Sequence, residues 1–190
     1  MKTALIIGNG ESRLKIKKMP SASTVIGCNA AYRNFACDAI VAVDKRMVEE
    51  IIKNSSSILW TKPENILHHF NNEKIKVLPT IPLNREGRAF EMRNWGTGPY
   101  ALFLAAKNFN KVYVIGFDFY SKTPYVNNVY KGTENYSQRR ASAVDPAFWI
   151  IQISAVIDYF NQTSFIFYKD SDLTFPNELL AKNNLTIVEV

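Results

Sequence analysis

Short apolar runs recur along the chain, and the segments between them have apolar residues at a helical spacing. Seven runs predict β-strands: Thr3–Ile7, Thr24–Cys28, Ala39–Val43, Ser57–Trp60, Ile75–Leu78, Lys111–Ile115 and Ser164–Phe167. Most of them are apolar almost throughout, which is typical of strands that are buried on both faces. The pattern therefore predicts a mostly parallel sheet that is covered by helices.

Three segments between the strands predict helices. These are Lys45–Lys53, Thr97–Asn108 and Pro146–Phe160. The third is preceded by Asp145, a residue type that caps helices, and has proline at its first helical position, where proline is tolerated. The alternation of strands and helices predicts a doubly wound α/β fold with helices on both faces of the sheet.

Two polar segments do not follow this alternation, namely Thr80–Trp95 and the tyrosine-rich stretch Phe119–Val144. Loops of this length in a compact domain are usually functional. Both lead to or from strand ends where a doubly wound sheet binds its ligand. We therefore expect residues 119–145 to form a lid on a single nucleotide-binding domain that spans residues 1–190.

Composition narrows the class of protein. With 47% apolar and 21% charged residues, the chain of 190 residues is typical of a globular domain. The longest apolar stretch, Tyr100–Ala106, is too short to span a membrane, and Gly8 interrupts the N-terminal apolar run that a signal peptide would need. Cys28 and Cys37 are too few for a disulfide framework, so we expect a cytoplasmic protein. A homo-oligomer is one of the possible oligomeric states.

The net charge of +6 arises from 23 basic and 17 acidic residues, with basic clusters at residues 13–18 and at Arg139-Arg140. Neither cluster has the length or the interleaved aromatic residues of a nucleic-acid-binding surface, so no nucleic-acid partner is expected. A basic balance suits a small anionic ligand such as a nucleotide. For the first cluster, a solvated helix face is the alternative.

The strongest local motif is Gly8-Asn9-Gly10, which follows a buried strand and precedes Glu11-Ser12 at an expected helix start. Glycines let a backbone approach a phosphate, and unpaired N–H groups at a helix start attract its charge. A nicotinamide dinucleotide is not expected, because Arg13 replaces the third glycine of the fingerprint. Moreover, Asn29 follows the second strand where an acidic residue would bind the ribose.

Further candidates also stand at the expected carboxyl ends of strands. Asp44 and Asp118 follow apolar strands, although Asp44 is equally well explained as a cap of the next helix. Thr97-Gly98 opens a helix and would contact a phosphate or a sugar, or cap that helix. No metal site is expected, because the only histidines, His68-His69, are adjacent and have no nearby ligand partner.

The order of these motifs resembles the bacterial sialyltransferases of glycosyltransferase family 42. The similar segments are Ile6-Ile7-Gly8-Asn9-Gly10 with Ser12, Cys28-Asn29, Thr97-Gly98 and the run Ile115–Tyr120. The segment 38–44 and the Thr97–Tyr120 block are also similar to the MptE-like group, which includes pterin pyrophosphokinases and motility-associated glycosyltransferases. The resemblance covers roughly Thr3–Tyr125.

The resemblance implies a transferase that moves a sialic-acid-type sugar from a CMP-sugar donor to a hydroxyl acceptor such as a glycan, without a metal or another cofactor. Gly8, Asn9, Gly10 and Ser12 would lie near the phosphate and ribose, and Asn29 near the cytidine or sugar. Thr97 and Gly98 would lie near the sugar. Tyr120, and less closely Tyr125, would donate hydrogen bonds to the leaving phosphate, whereas Tyr130 and Tyr136 are expected to pack the loop base.

One departure from the family bears on catalysis. Its sialyltransferases use a lid histidine as general base, and this chain has no histidine after His69. Asp145 is a possible substitute, although it is equally plausible as a helix cap. Two alternatives therefore stay open: an MptE-like pyrophosphokinase that uses ATP and Mg²⁺ on Asp44 and Asp118, and a nucleotide-binding protein without catalytic activity.

Overall fold

The computed structural model describes residues 2–66, 69, 71–83 and 86–190, and these contain one parallel sheet of eight strands. The strands are β1 (Thr3–Ile7), β2 (Thr24–Cys28), β3 (Ala39–Val41), β4 (Ile58–Thr61), β5 (Ile75–Val77), β6 (Lys111–Ile115), β7 (Ser164–Lys169) and β8 (Leu185–Glu189). Their order across the sheet is β5-β4-β3-β2-β1-β6-β7-β8, and every neighbouring pair is parallel. The predicted doubly wound α/β fold is confirmed.

Helices cover both faces of this sheet. They are α1 (Lys45–Asn54), α2 (Thr97–Asn108), α3 (Ala147–Tyr159) and the short α4 (Asn177–Leu180). Side chains alternate between the faces along each strand. In β1, Ala4 and Ile6 join the core beneath α2 and α3, whereas Leu5 and Ile7 face the opposite side. On that side α1 packs on β3. The sheet is thus buried on both faces, as the apolar strands indicate.

Some sequence expectations require correction. The edge strand β8 and helix α4 were not predicted, since neither has a continuous apolar run. Helix α3 begins at Ala147, so Pro146 lies just outside it. The reason is a local turn: an oxygen of the Asp145 carboxylate accepts the N–H of Ala147 at 2.9 Å, and this bond spans Pro146.

The strand order fixes where a ligand would bind. From β1 the chain builds outwards to β5 and then returns to the other side of β1 to form β6. In doubly wound sheets, ligands bind at the carboxyl ends of the strands where the order reverses. Here that point lies between β1 and β6. Among the described residues, no helix is long and apolar enough to cross a membrane.

Candidate functional site

A cavity of about 450 Å³ opens at the carboxyl edge of the sheet, next to the point where the strand order reverses. Its lining includes residues that follow β1, β2, β3, β4 and β6, together with the first turn of α2. Eight residues predicted from the sequence line it: Gly8, Asn9, Gly10, Asn29, Asp44, Thr97, Gly98 and Asp118. Residues that are far apart in the chain therefore meet because parallel strands end at one edge.

The other four predicted residues do not line this cavity. Ser12 is 1% exposed and lies behind the loop that follows β1. Tyr120 and Tyr125 are 38% and 44% exposed, and Tyr125 forms an isolated β-bridge with Ser142. Asp145 contacts the start of α3 through the hydrogen bond described above. Roles for these four in a ligand site stay predictions.

The two glycines after β1 allow a close approach to the chain that leaves β6. The N–H of Gly8 donates to the carbonyl of Ile115, and the N–H of Gly10 donates to that of Gly116, both at 2.8 Å. A β-carbon on Gly8 would lie 2.4 Å from the Gly116 oxygen, which no side chain tolerates. These glycines are therefore required for packing between two strand ends.

The amides of Glu11 and Ser12 after β1 are also occupied, which contradicts the expectation of unpaired donors at these two residues. The segment Glu11–Lys15 is a short 3-10 turn rather than an α-helix. The N–H of Glu11 donates to Asn127 Oδ1 and that of Ser12 to Asp118 Oδ2, each at 2.8 Å. Burial raises the pKa of Asp118, although the hydrogen bonds from Ser12 oppose this shift. This carboxylate occupies a position that sequence reasoning gave to a phosphate.

Unpaired amides are found instead at the start of α2. The first N–H groups of a helix have no acceptor within it, and no other described residue accepts those of Thr97 and Gly98. The N-cap residue, Gly96, has no side chain to cap them. The positive end of the dipole of this twelve-residue helix therefore faces the cavity, an arrangement that binds phosphates in many proteins.

Asn29 stands beside this helix start. Its side-chain oxygen accepts a hydrogen bond from Thr97 Oγ1 at 3.1 Å. Its backbone has a φ of 51°, in the left-handed region that asparagine tolerates better than most residues. Because the oxygen of the amide is engaged, its NH₂ group is the part left to donate to a ligand.

Two charged residues, Asp44 and Lys62, line the part of the cavity at the carboxyl ends of β3 and β4. Asp44 is at the N-cap position of α1, yet its carboxylate does not cap that helix. Lys62, which directly follows β4, is buried, and its Nζ donates to the carbonyl of Arg93 at 3.0 Å. Sequence reasoning missed Lys62, although its position two residues after the predicted strand Ser57–Trp60 was the available signal.

The expected lid segment is bonded to the loop after β1. Val129 N–H donates to the Asn9 carbonyl at 2.9 Å, and the Asn9 side-chain NH₂ donates to the Tyr136 hydroxyl at 2.9 Å. Tyr130 is buried, and its hydroxyl accepts a bond of 2.8 Å from Arg13. Tyr130 and Tyr136 therefore pack the base of this segment, as the sequence suggested.

The described residues contain no group of three or more metal-ligating side chains close enough to hold an ion, while His68 lies outside them. Asp44 and Asp118 follow strands that are three steps apart in the sheet. At roughly 4.8 Å per step, their strand ends are about 14 Å apart. This spacing of the strand ends gives no support for one ion shared by the two carboxylates.

These features define a doubly wound α/β protein with a cavity at its topological switch point. No family model and no curated protein matches the sequence. Its structure is similar to that of the sialyltransferase CstII from Campylobacter jejuni in complex with a substrate analogue, cytidine-5'-monophosphate, with a TM-score of 0.52 and 16% identity over 98% of this chain and 85% of that chain. The sialyltransferase CST-II in complex with trisaccharide acceptor and CMP gives a TM-score of 0.55 and 16% identity, over 98% and 86% of the two chains. At this identity the likeness establishes a shared fold.

Proposed function

We propose that this protein is a glycosyltransferase that transfers a sialic-acid-type sugar from a CMP-sugar donor to a hydroxyl acceptor without a metal ion. The observation that carries the proposal is the unpaired amide end of α2, which opens into the cavity at the switch point beside Asn29. The fold shared with two CMP-bound sialyltransferase structures supports CMP as the nucleotide.

In this proposal the phosphate of the donor binds the amides of Thr97 and Gly98. The acceptor oxygen attacks the anomeric carbon, the bond from that carbon to the phosphate oxygen breaks, and CMP leaves with the electron pair. Negative charge grows on the phosphate during this step, and fixed amide dipoles stabilise such charge without reorganisation. The NH₂ group of Asn29 would donate to the cytidine or to the sugar.

The acceptor hydroxyl must lose its proton to a base. Asp145, the candidate from the sequence, contacts the start of α3 and does not line the cavity. Asp44 lines it and does not cap α1. We therefore propose Asp44 as the first carboxylate to test for this role, with Asp145 as the second.

The alternative of an MptE-like pyrophosphokinase is less well supported. It needs acidic side chains that hold Mg²⁺ between the phosphates of ATP. Asp44 and Asp118, the candidates for that task, follow strand ends separated by β2 and β1. This separation of the strand ends gives no support for one ion held by both.

Calorimetric titration with CMP, and with ATP plus Mg²⁺, tests the proposal, with Asn29→Asp as the informative variant. Aspartate keeps the shape of the side chain, its tolerance of the left-handed backbone and its acceptor for Thr97, but it adds a negative charge near the phosphate. We expect CMP to bind in EDTA, and Asn29→Asp to weaken it about tenfold or more. Asn161→Asp, the same change at an exposed turn before β7, should leave the affinity unchanged.

Three other outcomes would contradict the proposal. Binding of ATP with Mg²⁺ but not of CMP would favour the pyrophosphokinase. Tight binding of CMP, with no release of CMP from CMP-sialic acid across a panel of hydroxyl acceptors, would indicate a binding protein without activity. No binding of any nucleotide would reject the nucleotide site itself.

A further inference from the structure

Lys62 carries a positive charge into the cavity without a counter-ion. The residue is 8% exposed and lines the cavity directly after β4. Within 4.0 Å of its Nζ, the described residues offer no carboxylate, and the hydrogen bond to the Arg93 carbonyl uses one of the three donors of the ammonium group. A buried charge without a partner is costly, so the position demands an explanation.

The surrounding charges do not neutralise this ammonium. Asp44 and Glu64 act on Lys62 from beyond ion-pair distance, and burial outweighs their attraction, so the pKa of Lys62 lies below its usual range. The guanidinium of Arg93 is directed elsewhere, since its Nε contacts Glu91 at 2.6 Å and its side chain is 77% exposed. Within the described part of the chain, a cation without a direct ion-pair partner therefore remains at this end of the cavity.

We propose that Lys62 binds a carboxylate group of a sugar ligand and thereby selects acidic sugars over neutral ones. The inference rests on the proposed function. The end of β4 lies two strand steps, about 10 Å, from the end of β2, which carries Asn29. A ligand whose phosphate binds at α2 would therefore reach Lys62 with its sugar portion or with the acceptor beside it.

Asp44 supports this assignment because its carboxylate adds a hydrogen-bond acceptor beside the Lys62 ammonium, which is a donor. Its strand, β3, is the direct neighbour of β4, so its carboxylate and the Lys62 ammonium line the same end of the cavity. A carboxylate accepts hydrogen bonds from sugar hydroxyls, whereas an ammonium donates to a sugar carboxylate. An acidic sugar carries both kinds of group, and a neutral sugar would leave Lys62 unpaired.

Two sources could supply the carboxylate, the donor sugar or an acidic acceptor, and matched pairs of ligands separate them. The donor pair is CMP-sialic acid and its methyl ester, and the acceptor pair is sialyllactose and lactose. Titration calorimetry gives the ratio of affinities within each pair for the wild type and for Lys62→Met. Lys53→Met, on the exposed side of α1, removes the same charge away from the cavity.

In the pair that contains the physiological ligand, we expect the wild type to bind the acidic ligand about ten- to a hundredfold more tightly than its neutral counterpart. The reason is that the methyl ester and lactose cannot form the charge-assisted hydrogen bond with Lys62. Lys62→Met should abolish this preference and leave the affinity for CMP within about twofold, and Lys62→Gln should act likewise if methionine disturbs folding. Lys53→Met should keep the preference. A preference in the donor pair identifies the sugar donor, and one in the acceptor pair identifies an acidic acceptor.

The inference is overturned if the wild type has no preference in either pair, or if the preference survives in both Lys62 variants. This result differs from failure of the proposed function, which would appear as absent CMP binding. The acceptor pair is measured without nucleotide, so a preference in that pair that Lys62→Met abolishes supports the role of Lys62 even in that case.

Discussion

Replacement of Gly10 by alanine tests why a glycine stands at this position. The backbone of Gly10 is extended, with φ −64° and ψ 149°, so alanine is compatible with its conformation. The added methyl group would lie 2.5 Å from Asp118 Cγ and 2.6 Å from Asp118 Oδ2. Since carbon atoms do not approach so closely, the side chain of Asp118 must move away from its hydrogen bond with Ser12 N–H.

The expected cost combines three effects. Loss of the acceptor for the partly buried Ser12 amide costs about 1–3 kcal/mol. Repacking around an extra methyl group costs about 1–3 kcal/mol. Alanine also lowers the conformational entropy of the unfolded chain, and this effect stabilises the folded protein by about 0.4–1 kcal/mol. We therefore expect Gly10→Ala to lower the free energy of unfolding by about 3 kcal/mol, which shifts the Tm of a domain of this size by roughly 6–12 °C.

A double-mutant cycle with Asp118→Ala isolates the contact. Asp118→Ala by itself removes the acceptor of the Ser12 amide, at about 1–3 kcal/mol. In the double variant this bond is lost only once, and most of the steric overlap is gone. The combined cost should therefore fall short of the sum of the single costs by about 2–6 kcal/mol, the sum of these two effects. Urea unfolding followed by tryptophan fluorescence measures all four proteins.

Gly98→Ala serves as a matched control. Its methyl group would lie 3.1 Å from the Phe117 ring, within the first turn of α2, so a small adjustment suffices and helix propensity improves. We expect its stability within about 1 kcal/mol of the wild type. The packing explanation fails if Gly10→Ala and Asp118→Ala are additive. It also fails if Gly10→Ala retains full stability and loses only CMP binding, because that result would restore a role in phosphate approach.

Three further outcomes are expected. Lys62→Met should raise the Tm by a few degrees, because an apolar side chain of similar length removes the cost of a buried charge without an ion-pair partner. A lower Tm in calorimetry would show that the ammonium is stabilised in the ligand-free protein. Burial opposes the charge of Asp170, but hydrogen bonds from Lys15 and Lys122 hold its pKa well below the usual range. The resulting stability is present above a pH of about 4 and is lost as the pH falls, so Asp170→Asn should flatten the decline in urea-unfolding free energy between about pH 5 and 2; an unchanged slope would refute this. Asp145→Ala should cost about 1 kcal/mol through loss of the hydrogen bond from Ala147 N–H, whereas Asp145→Asn should retain an acceptor for it. Slower transfer by a stable asparagine variant would instead identify a base.

The parts that could be predicted from the sequence are those that follow from parallel strands. Buried strands have apolar runs, and a parallel sheet collects the residues after its strands at one edge, so Asn29 and Thr97 were expected to meet although they are 68 positions apart. The occupancy of the amides after β1 was not predictable. The acceptor for Glu11 N–H is Asn127, 116 positions away in a segment without periodicity, and no local pattern encodes that pairing.

Asn127 also bears on the prediction that the Tyr120 hydroxyl contacts a phosphate, because its side chain is bonded to the backbone of Tyr120. Its side-chain oxygen accepts the Glu11 N–H at 2.8 Å, while its NH₂ group donates to the carbonyl of Tyr120 at 3.1 Å. One amide side chain thus links the backbone of Tyr120 to the turn after β1, and Tyr120, which is 38% exposed, does not line the cavity. For its hydroxyl to reach a phosphate at the start of α2, the side chain must rotate or this link must break.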